Sequence, residues 1–210
     1  MSADALPVRL VRAVFALLAV ASVGWGWGHH EPDISSVNYF SYFTTLSNLV
    51  GGAALVVCVD RRIGRRSWSG WLRGAAVLYL VITGVIYAVL LGGETHTWVN
   101  WVQHRIMPVY MPLDWLLVAP AARLRFWRTL GGWLVFPIVY LAYTLAHGSA
   151  TGWYPYKFLD LDTHPAATVW RNIAGVSAAF VLVAAVLLLR LKLRPMPASV
   201  PEPGLQDAVG

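Results

Sequence analysis

Apolar residues along the chain fall into six long runs, separated by short segments rich in polar residues. The runs are Leu10–Trp25, Tyr39–Val59, Trp71–Leu91, Val99–Ala119, Leu130–Ala146 and Val169–Leu191. Each is close to the ~20 residues that an α-helix needs to cross the hydrocarbon core of a bilayer. The pattern therefore predicts an all-α fold, an integral membrane bundle of six transmembrane helices contained in residues 1–194.

The fourth run is the least regular, because charged residues and prolines interrupt its apolar sequence. His104, Arg105 and Asp114 lie within it, together with Pro108 and Pro112. Ionisable side chains are costly in hydrocarbon, and those that occur there usually face the interior of a bundle. We predict that this run spans the membrane; a broken or interfacial helix is the alternative.

The two ends of the chain are interpreted differently. Arg9 and Arg12 resemble the basic start of a signal peptide, but the first run is long and continues as SVGWGWGHH without a clean cleavage site. We therefore predict a retained helix. Residues 195–210 are rich in proline and small residues and lack apolar periodicity, so they are predicted to form a disordered cytoplasmic tail.

Composition and charge agree with a membrane protein and orient it. The chain is 58% hydrophobic and 12% charged, and its net charge is +6. Thirteen of the 16 Lys and Arg residues fall on one side of the six predicted spans: Arg9, Arg12, Arg61, Arg62, Arg65, Arg66, Arg73, Arg123, Arg125, Arg128, Arg190, Lys192 and Arg194. By the positive-inside rule, both termini are predicted to be cytoplasmic in a multi-pass protein of the cell membrane. The basic excess is then a topology signal, and no nucleic acid partner is expected.

Two polar side chains are predicted at similar depth in the outer half of the bundle. Thr45 lies seven residues past Asn38, or ~10 Å along a helix, and His104 lies four residues past Asn100, or ~6 Å. A threonine hydroxyl becomes a useful nucleophile when a neutral imidazole takes its proton, and burial disfavours the imidazolium. Thr45 and His104 are therefore candidate catalytic residues. The alternative is ordinary hydrogen bonding within and between helices.

Neighbouring polar residues are candidates for substrate binding. Asn48 lies one helical turn from Thr45, and Asn100 lies one turn from His104, so either amide can donate to a developing oxyanion. Hydrogen bonding between helices is an equal alternative for both. Arg105 follows the candidate base and can hold a substrate carboxylate, or it can extend to the lipid headgroups.

Other reactive residue types favour structural roles. Asp114 is predicted to be protonated or paired with an arginine such as Arg73, because an unpaired carboxylate is costly in a membrane. Cys58 is the only cysteine and is expected to be an inert thiol. The histidines form no pair at the i, i+4 spacing of a helix-borne zinc site, and no haem-attachment motif is present, so neither a metal nor a cofactor is predicted.

Three segments carry a resemblance to a known family. They are FTTLSNLV, with Thr45 and Asn48; NWVQHRIMP, with Asn100, His104 and Pro108; and HGSATGWYPYKFLD, with His147, Gly152, Trp153, Tyr154 and Pro155. Their order and separation resemble the multipass membrane threonine hydrolases of the androgen-induced protein and androgen-dependent TFPI-regulating protein family. The resemblance implies a Thr45 nucleophile rather than Thr44, a His104 base, no triad acid, and cleavage of fatty acid esters of hydroxy fatty acids.

The same resemblance implies that His147, Trp153 and Tyr154 contribute to the substrate site. An aromatic belt at the membrane surface is a sufficient alternative for Trp153 and Tyr154. Two functions are therefore predicted for the chain. One is a lipid-ester hydrolase whose pocket opens to the outer leaflet; the other is a non-catalytic bundle that binds or transports a lipid or small apolar molecule.

Overall fold

The computed structural model of the chain describes residue 3 and residues 5–93, 96–120 and 124–193. All regular secondary structure in these residues is helical, as predicted. The helices are α1 (Leu6–Gly28), α2 (Ser36–Phe40), α3 (Phe43–Val59), α4 (Arg61–Gly64), α5 (Ser67–Leu90), α6 (Trp98–Trp101), α7 (Met107–Leu117), α8 (Phe126–Thr151) and α9 (Ala166–Lys192). A π-helical segment, Val102–Ile106, joins α6 to α7, and a 3-10 turn, Lys157–Leu159, precedes α9. The predicted tail, residues 195–210, lies outside the described residues.

Four helices, α1, α5, α8 and α9, are long and apolar enough to cross a membrane. Their lengths run from 23 to 27 residues, and the mean hydropathy of their most apolar windows runs from 1.5 to 2.4. Helix α3 is also apolar but has only 17 residues. Helices of this length and composition indicate a membrane protein, which agrees with the prediction made from the apolar runs.

The second apolar run is broken near its start, which the sequence pattern did not predict. Ser41 ends α2 with its N–H on the carbonyl of Asn38, and Tyr42 is extended, with ψ 129°, before α3 begins. The first N–H groups of α3 therefore lie inside the bundle instead of continuing an earlier helix. These groups have no partner within their own helix and must find one elsewhere.

The fourth run forms one continuous helical segment, residues 98–117, with a π turn in its first half. The N–H of Met107 bonds to the carbonyl of Val102, five residues back. Pro108 follows immediately and has no N–H to donate to His104, so an ordinary α-helical turn is incomplete at this point. The extra residue of the π turn rotates the residues before it relative to α7.

Helices α1, α3, α5 and the segment 98–117 alternate in direction. At one end of the bundle, the start of α1 meets the end of α3, where the Arg9 side chain donates to the carbonyl of Val59 at 2.7 Å. At the same end, Asp114 accepts from Arg12 at 2.8 Å and from Arg73 at 2.5 Å. These three residues, here called the ion cluster, join α1, α5 and α7. The predicted pairing of Asp114 with Arg73 is confirmed.

Helix α5 occupies the centre of the bundle. Its residues Ala76, Val77, Leu78 and Leu80 are completely buried, while α1, α8 and α9 expose apolar faces. Gly74 allows this close packing, because a Cβ there would lie 2.3 Å from the ring of Trp133 in α8. The core and the ion cluster together fix the positions of the helices, and so position the end of the bundle that lies opposite the ion cluster.

Candidate functional site

A cavity of about 870 Å³ opens at the end of the bundle opposite the ion cluster. It lies between the ends of α1 and α5, the beginnings of α3 and α6, and the loop after α8. Its polar lining residues are His29, His30, Glu31, Tyr39, Tyr42, Thr44, Thr45, Tyr87, Thr97, Asn100, Gln103, His104, Tyr156 and Lys157. We call this space the polar cavity. It brings together both predicted catalytic residues, Thr45 and His104, and one predicted binding residue, Asn100.

His104 is held in one orientation by contacts on two sides of its ring. The ring stacks on Tyr87 with 3.9 Å between centroids, and Nδ1 lies 3.3 Å from the carbonyl oxygen of Asn100. A carbonyl can only accept a hydrogen bond, so in the neutral imidazole Nδ1 carries the proton. Nε2 then presents a lone pair to the cavity, as a general base requires.

The hydroxyl that meets this lone pair belongs to Thr44. Its Oγ1 lies 3.3 Å from Nε2 of His104, and Thr44 is buried in the first turn of α3. Thr45, which the resemblance favours, also lines the polar cavity, where its side chain lies near the phenol of Tyr39. Adjacent residues of an α-helix point about 100° apart, so only one of the two can face His104 squarely.

Two tyrosine hydroxyls accept hydrogen bonds from N–H groups in the first turn of α3. Tyr140 accepts from the N–H of Phe43 at 3.1 Å and donates to the carbonyl of Ser41 at 2.8 Å. Tyr156 accepts from the N–H of Thr44 at 3.3 Å and lies 3.4 Å from Thr44 Oγ1. Sequence reasoning missed Tyr156, although it directly follows the matched Trp153–Pro155 segment. Its position next to that segment was the available signal.

A second, smaller cavity of about 210 Å³ lies between α5, α8 and α9. We call it the apolar cleft; most of its lining is aliphatic or aromatic, from Ile82, Ile86, Leu91, Leu134, Pro137, Ile138, Leu141, Phe158, Leu159, Ile173, Val176, Phe180 and Val181. Thr44 and Tyr156 line both the cleft and the polar cavity. The contact between Thr44 and His104 therefore lies where a polar space and an apolar space adjoin.

Three predicted binding residues have other contacts in the structure. Asn48 is completely buried and donates to the carbonyls of Thr44 at 2.9 Å and Gln103 at 3.3 Å, which ties α3 to the π segment. Asn100 positions His104 through its backbone carbonyl. Arg105 is exposed, donates to the carbonyl of Gly93 at 2.7 Å and lies over the ring of Trp101.

The predicted binding residues His147, Trp153 and Tyr154 are not among the lining residues of either cavity and lie around the end of α8. His147 Nε2 lies 3.0 Å from Oδ1 of Asn38, and the His147 ring packs against Trp153. Tyr154 packs so closely on Gly148 that a Cβ there would lie 2.1 Å from its ring. These contacts attach the loop after α8 to the end of α8, and the end of α8 to α2, and so help to position Tyr156.

Within the described residues, no group of three histidine, cysteine or acidic side chains is arranged to hold a metal ion. No family model, curated protein or solved structure matches the chain. The resemblance of the three sequence segments therefore stays a prediction, and a functional assignment depends on the geometry of the site.

Proposed function

We propose that the protein is an integral membrane hydrolase of long-chain acyl esters, with Thr44 as nucleophile and His104 as general base. The observation that carries this proposal is the 3.3 Å contact between Thr44 Oγ1 and His104 Nε2. The other nitrogen of the same imidazole, Nδ1, faces the carbonyl of Asn100. A hydroxyl paired with an oriented imidazole is the recurring arrangement for acyl transfer. In a Ser-His-Asp triad a buried aspartate orients the histidine through Nδ1. Here the backbone carbonyl of Asn100 takes that position.

The reaction follows from this geometry in two halves. Thr44 Oγ attacks the acyl carbon while its proton passes to Nε2 of His104, and the carbonyl electron pair moves onto oxygen. Collapse of this intermediate breaks the bond to the alcohol oxygen, which takes the proton from Nε2. A water molecule then attacks the acyl-threonine while its proton passes to His104. The bond between the acyl carbon and Thr44 Oγ breaks, Oγ takes the proton back from Nε2, and the fatty acid leaves.

The two cavities support an amphipathic substrate. An acyl chain can occupy the apolar cleft, where each buried methylene contributes ~0.8 kcal/mol, while the alcohol part extends into the polar cavity. Thr44 lines both spaces, so an ester that fills them places its scissile bond at Thr44. Fatty acid esters of hydroxy fatty acids, the substrates implied by the resemblance, meet this description.

The proposed topology has six spans, with α3 and the segment 98–117 added to the four longest helices. Helix α3 is short, but α2 precedes it after a two-residue break and extends the second crossing. The ion cluster end carries the basic residues of α1 and α4, so we propose that this end and both termini are cytoplasmic. The polar cavity then opens toward the outer leaflet.

The nucleophile is tested by comparing the two adjacent threonines. Thr44→Val, Thr45→Val and His104→Gln are purified in detergent and assayed with a long-chain p-nitrophenyl ester. We expect Thr44→Val and His104→Gln to lose ester cleavage, and Thr45→Val to retain it. Activity lost only in Thr45→Val and His104→Gln would transfer the role to Thr45. Wild-type cleavage in all three would reject the Thr–His mechanism. Failure of the wild-type protein to cleave any long-chain ester would reject hydrolysis and leave the non-catalytic lipid-binding bundle.

A further inference from the structure

The phenol of Tyr156, like the imidazole of His104, contacts the candidate nucleophile Thr44. Its oxygen lies 3.3 Å from the N–H of Thr44 and 3.4 Å from Thr44 Oγ1. A backbone N–H can only donate, so the Tyr156 oxygen accepts there and its own proton is directed elsewhere. The acceptor recorded beside it is the hydroxyl oxygen of Thr44, and the phenol of Tyr140 lies nearby.

The neighbouring phenol of Tyr140 differs in this respect. Its proton is donated to the carbonyl of Ser41 at 2.8 Å, while its oxygen accepts from the N–H of Phe43. Tyr140 is therefore occupied in closing the break between α2 and α3. Tyr156 keeps a proton whose recorded acceptor on Thr44 is at the long distance of 3.4 Å, well beyond the usual ~2.7–2.8 Å of an O–H···O bond.

We propose that Tyr156 is a further catalytic residue, which donates its phenol proton as a hydrogen bond to the oxyanion formed when Thr44 attacks the ester. This inference rests on the proposed hydrolase function. The oxyanion is separated from Thr44 Oγ by only one carbon atom, so a group already in contact with Oγ is within reach of it. Tyr156 lines both the polar cavity and the apolar cleft, as a group facing the scissile bond must.

Two features of the surroundings favour such a role. A phenol proton whose recorded acceptor is a neutral hydroxyl at 3.4 Å can turn to a developing negative charge at little cost, which is the condition for electrostatic stabilisation of a transition state. Thr44 also lies in the first turn of α3, whose N-terminal dipole favours negative charge nearby. The hydrogen bond changes no covalent bond, so the proton returns to the Tyr156 oxygen when the intermediate collapses.

The test compares Tyr156→Phe with Tyr140→Phe in the full-length protein. For Tyr156→Phe we expect kcat to fall by about 10²–10³-fold, the effect of losing one oxyanion donor, with KM little changed. A long-chain trifluoromethyl ketone, which adds to the nucleophile and forms an oxyanion, should bind more weakly by the same factor. Tyr140→Phe, whose hydroxyl bonds to backbone groups of Ser41 and Phe43, should lower the melting temperature, reduce kcat less than Tyr156→Phe, and leave binding of the ketone relative to the ester unchanged.

A second measurement covers the case in which Tyr156→Phe does not fold. Replacing Tyr156 by difluorotyrosine keeps the ring and hydroxyl but lowers the pKa of the phenol. Because only the protonated phenol donates, the alkaline limb of the kcat–pH profile should move to lower pH, which a packing role would not cause. An unmoved profile would overturn the role of Tyr156. The same conclusion would follow if a folded Tyr156→Phe protein kept the wild-type kcat while Thr44→Val and His104→Gln were inactive. In either case the hydrolase proposal would stand. Activity in Thr44→Val and His104→Gln would reject the Thr44–His104 pair itself, and an inactive wild-type protein would reject the hydrolase.

Discussion

Nε2 of His104 lies 3.3 Å from Oγ1 of Thr44, although the two residues are 60 positions apart and belong to different helical segments. The π turn and Pro108 position the imidazole, and the break after Ser41 positions the hydroxyl. If the two residues share one chemical step, their contributions to the rate cannot be independent. We expect Thr44→Val/His104→Gln to be no less active than either single variant, because members of a nucleophile–base pair act as a unit.

Steady-state kinetics of the two single variants and the double variant measure this coupling. Phe40→Leu, at an exposed site in α2, provides a control for general perturbation of the same region. Independent losses that multiply in the double variant would mean that Thr44 and His104 act in different steps.

The hydrogen bonds of Asn48, which join α3 to the π-helical segment, lead to a prediction about stability. Asn48 is the donor that joins the carbonyls of Thr44 and Gln103, and it is completely buried. We expect Asn48→Ala to lower the free energy of unfolding by about 1–3 kcal/mol and to reduce activity through displacement of His104. Thermal unfolding in detergent measures the first effect. Val56→Ala, at an exposed position of the same helix, should have little effect, and equal losses in the two variants would contradict the bracing role.

Sequence patterning predicted an all-helical membrane protein, because apolar runs of membrane length directly reflect the solvent around each helix. It could not choose between Thr44 and Thr45. That choice depends on a rotation of one residue, which is set by the break at Ser41–Tyr42 and by the hydroxyls of Tyr140 and Tyr156, more than 90 residues away. Similar depth in the membrane placed the correct segments together, but depth carries no information about direction around a helix.

The candidate binding residues illustrate the same limit. The motif containing His104 predicted a role for Asn100, yet the structure uses its backbone carbonyl, which any residue could provide. Arg105 was predicted from its position beside His104, but consecutive helical residues point in different directions and its guanidinium faces Gly93 and Trp101. Proximity in sequence was a poor guide here, because the polar cavity is built by segments distant along the chain.

The apolar cleft predicts a dependence on acyl chain length. Catalytic efficiency should rise with chain length in a p-nitrophenyl ester series, since longer chains bury more methylenes at ~0.8 kcal/mol each. Val176 lines the cleft on α9, so Val176→Trp should shift the optimum to shorter chains. Val186→Trp, on an exposed face of the same helix, should keep the wild-type profile. A flat length dependence in the wild-type protein would remove the lipid-ester assignment.

The polar cavity predicts how acidic substrates are held. Lys157 lines this cavity, whereas Arg105 is engaged outside it. We expect Lys157→Ala to raise KM more for esters that carry a free carboxylate than for neutral esters of equal length. Arg105→Ala should weaken both classes equally. KM values for a matched pair of esters measure the difference, and a selective effect of Arg105→Ala would restore the role predicted for Arg105 from the sequence.

The ion cluster at the other end of the bundle predicts an unusual order of stabilities. Arg12 and Arg73 are each 2% exposed, and Asp114 is 5% exposed, so the three side chains have been removed from solvent together. Removing one partner leaves buried charge without compensation, so Asp114→Ala should lower the free energy of unfolding by about 3–5 kcal/mol.

Replacing all three by apolar residues of similar size avoids that penalty. The triple variant Arg12→Met/Arg73→Met/Asp114→Leu should therefore be more stable than Asp114→Ala, although it changes more residues. Melting temperatures in one detergent compare them directly. A triple variant less stable than Asp114→Ala would show that the arginines stabilise the bundle through contacts other than Asp114, such as the 2.6 Å bond from Arg73 to the carbonyl of Val118.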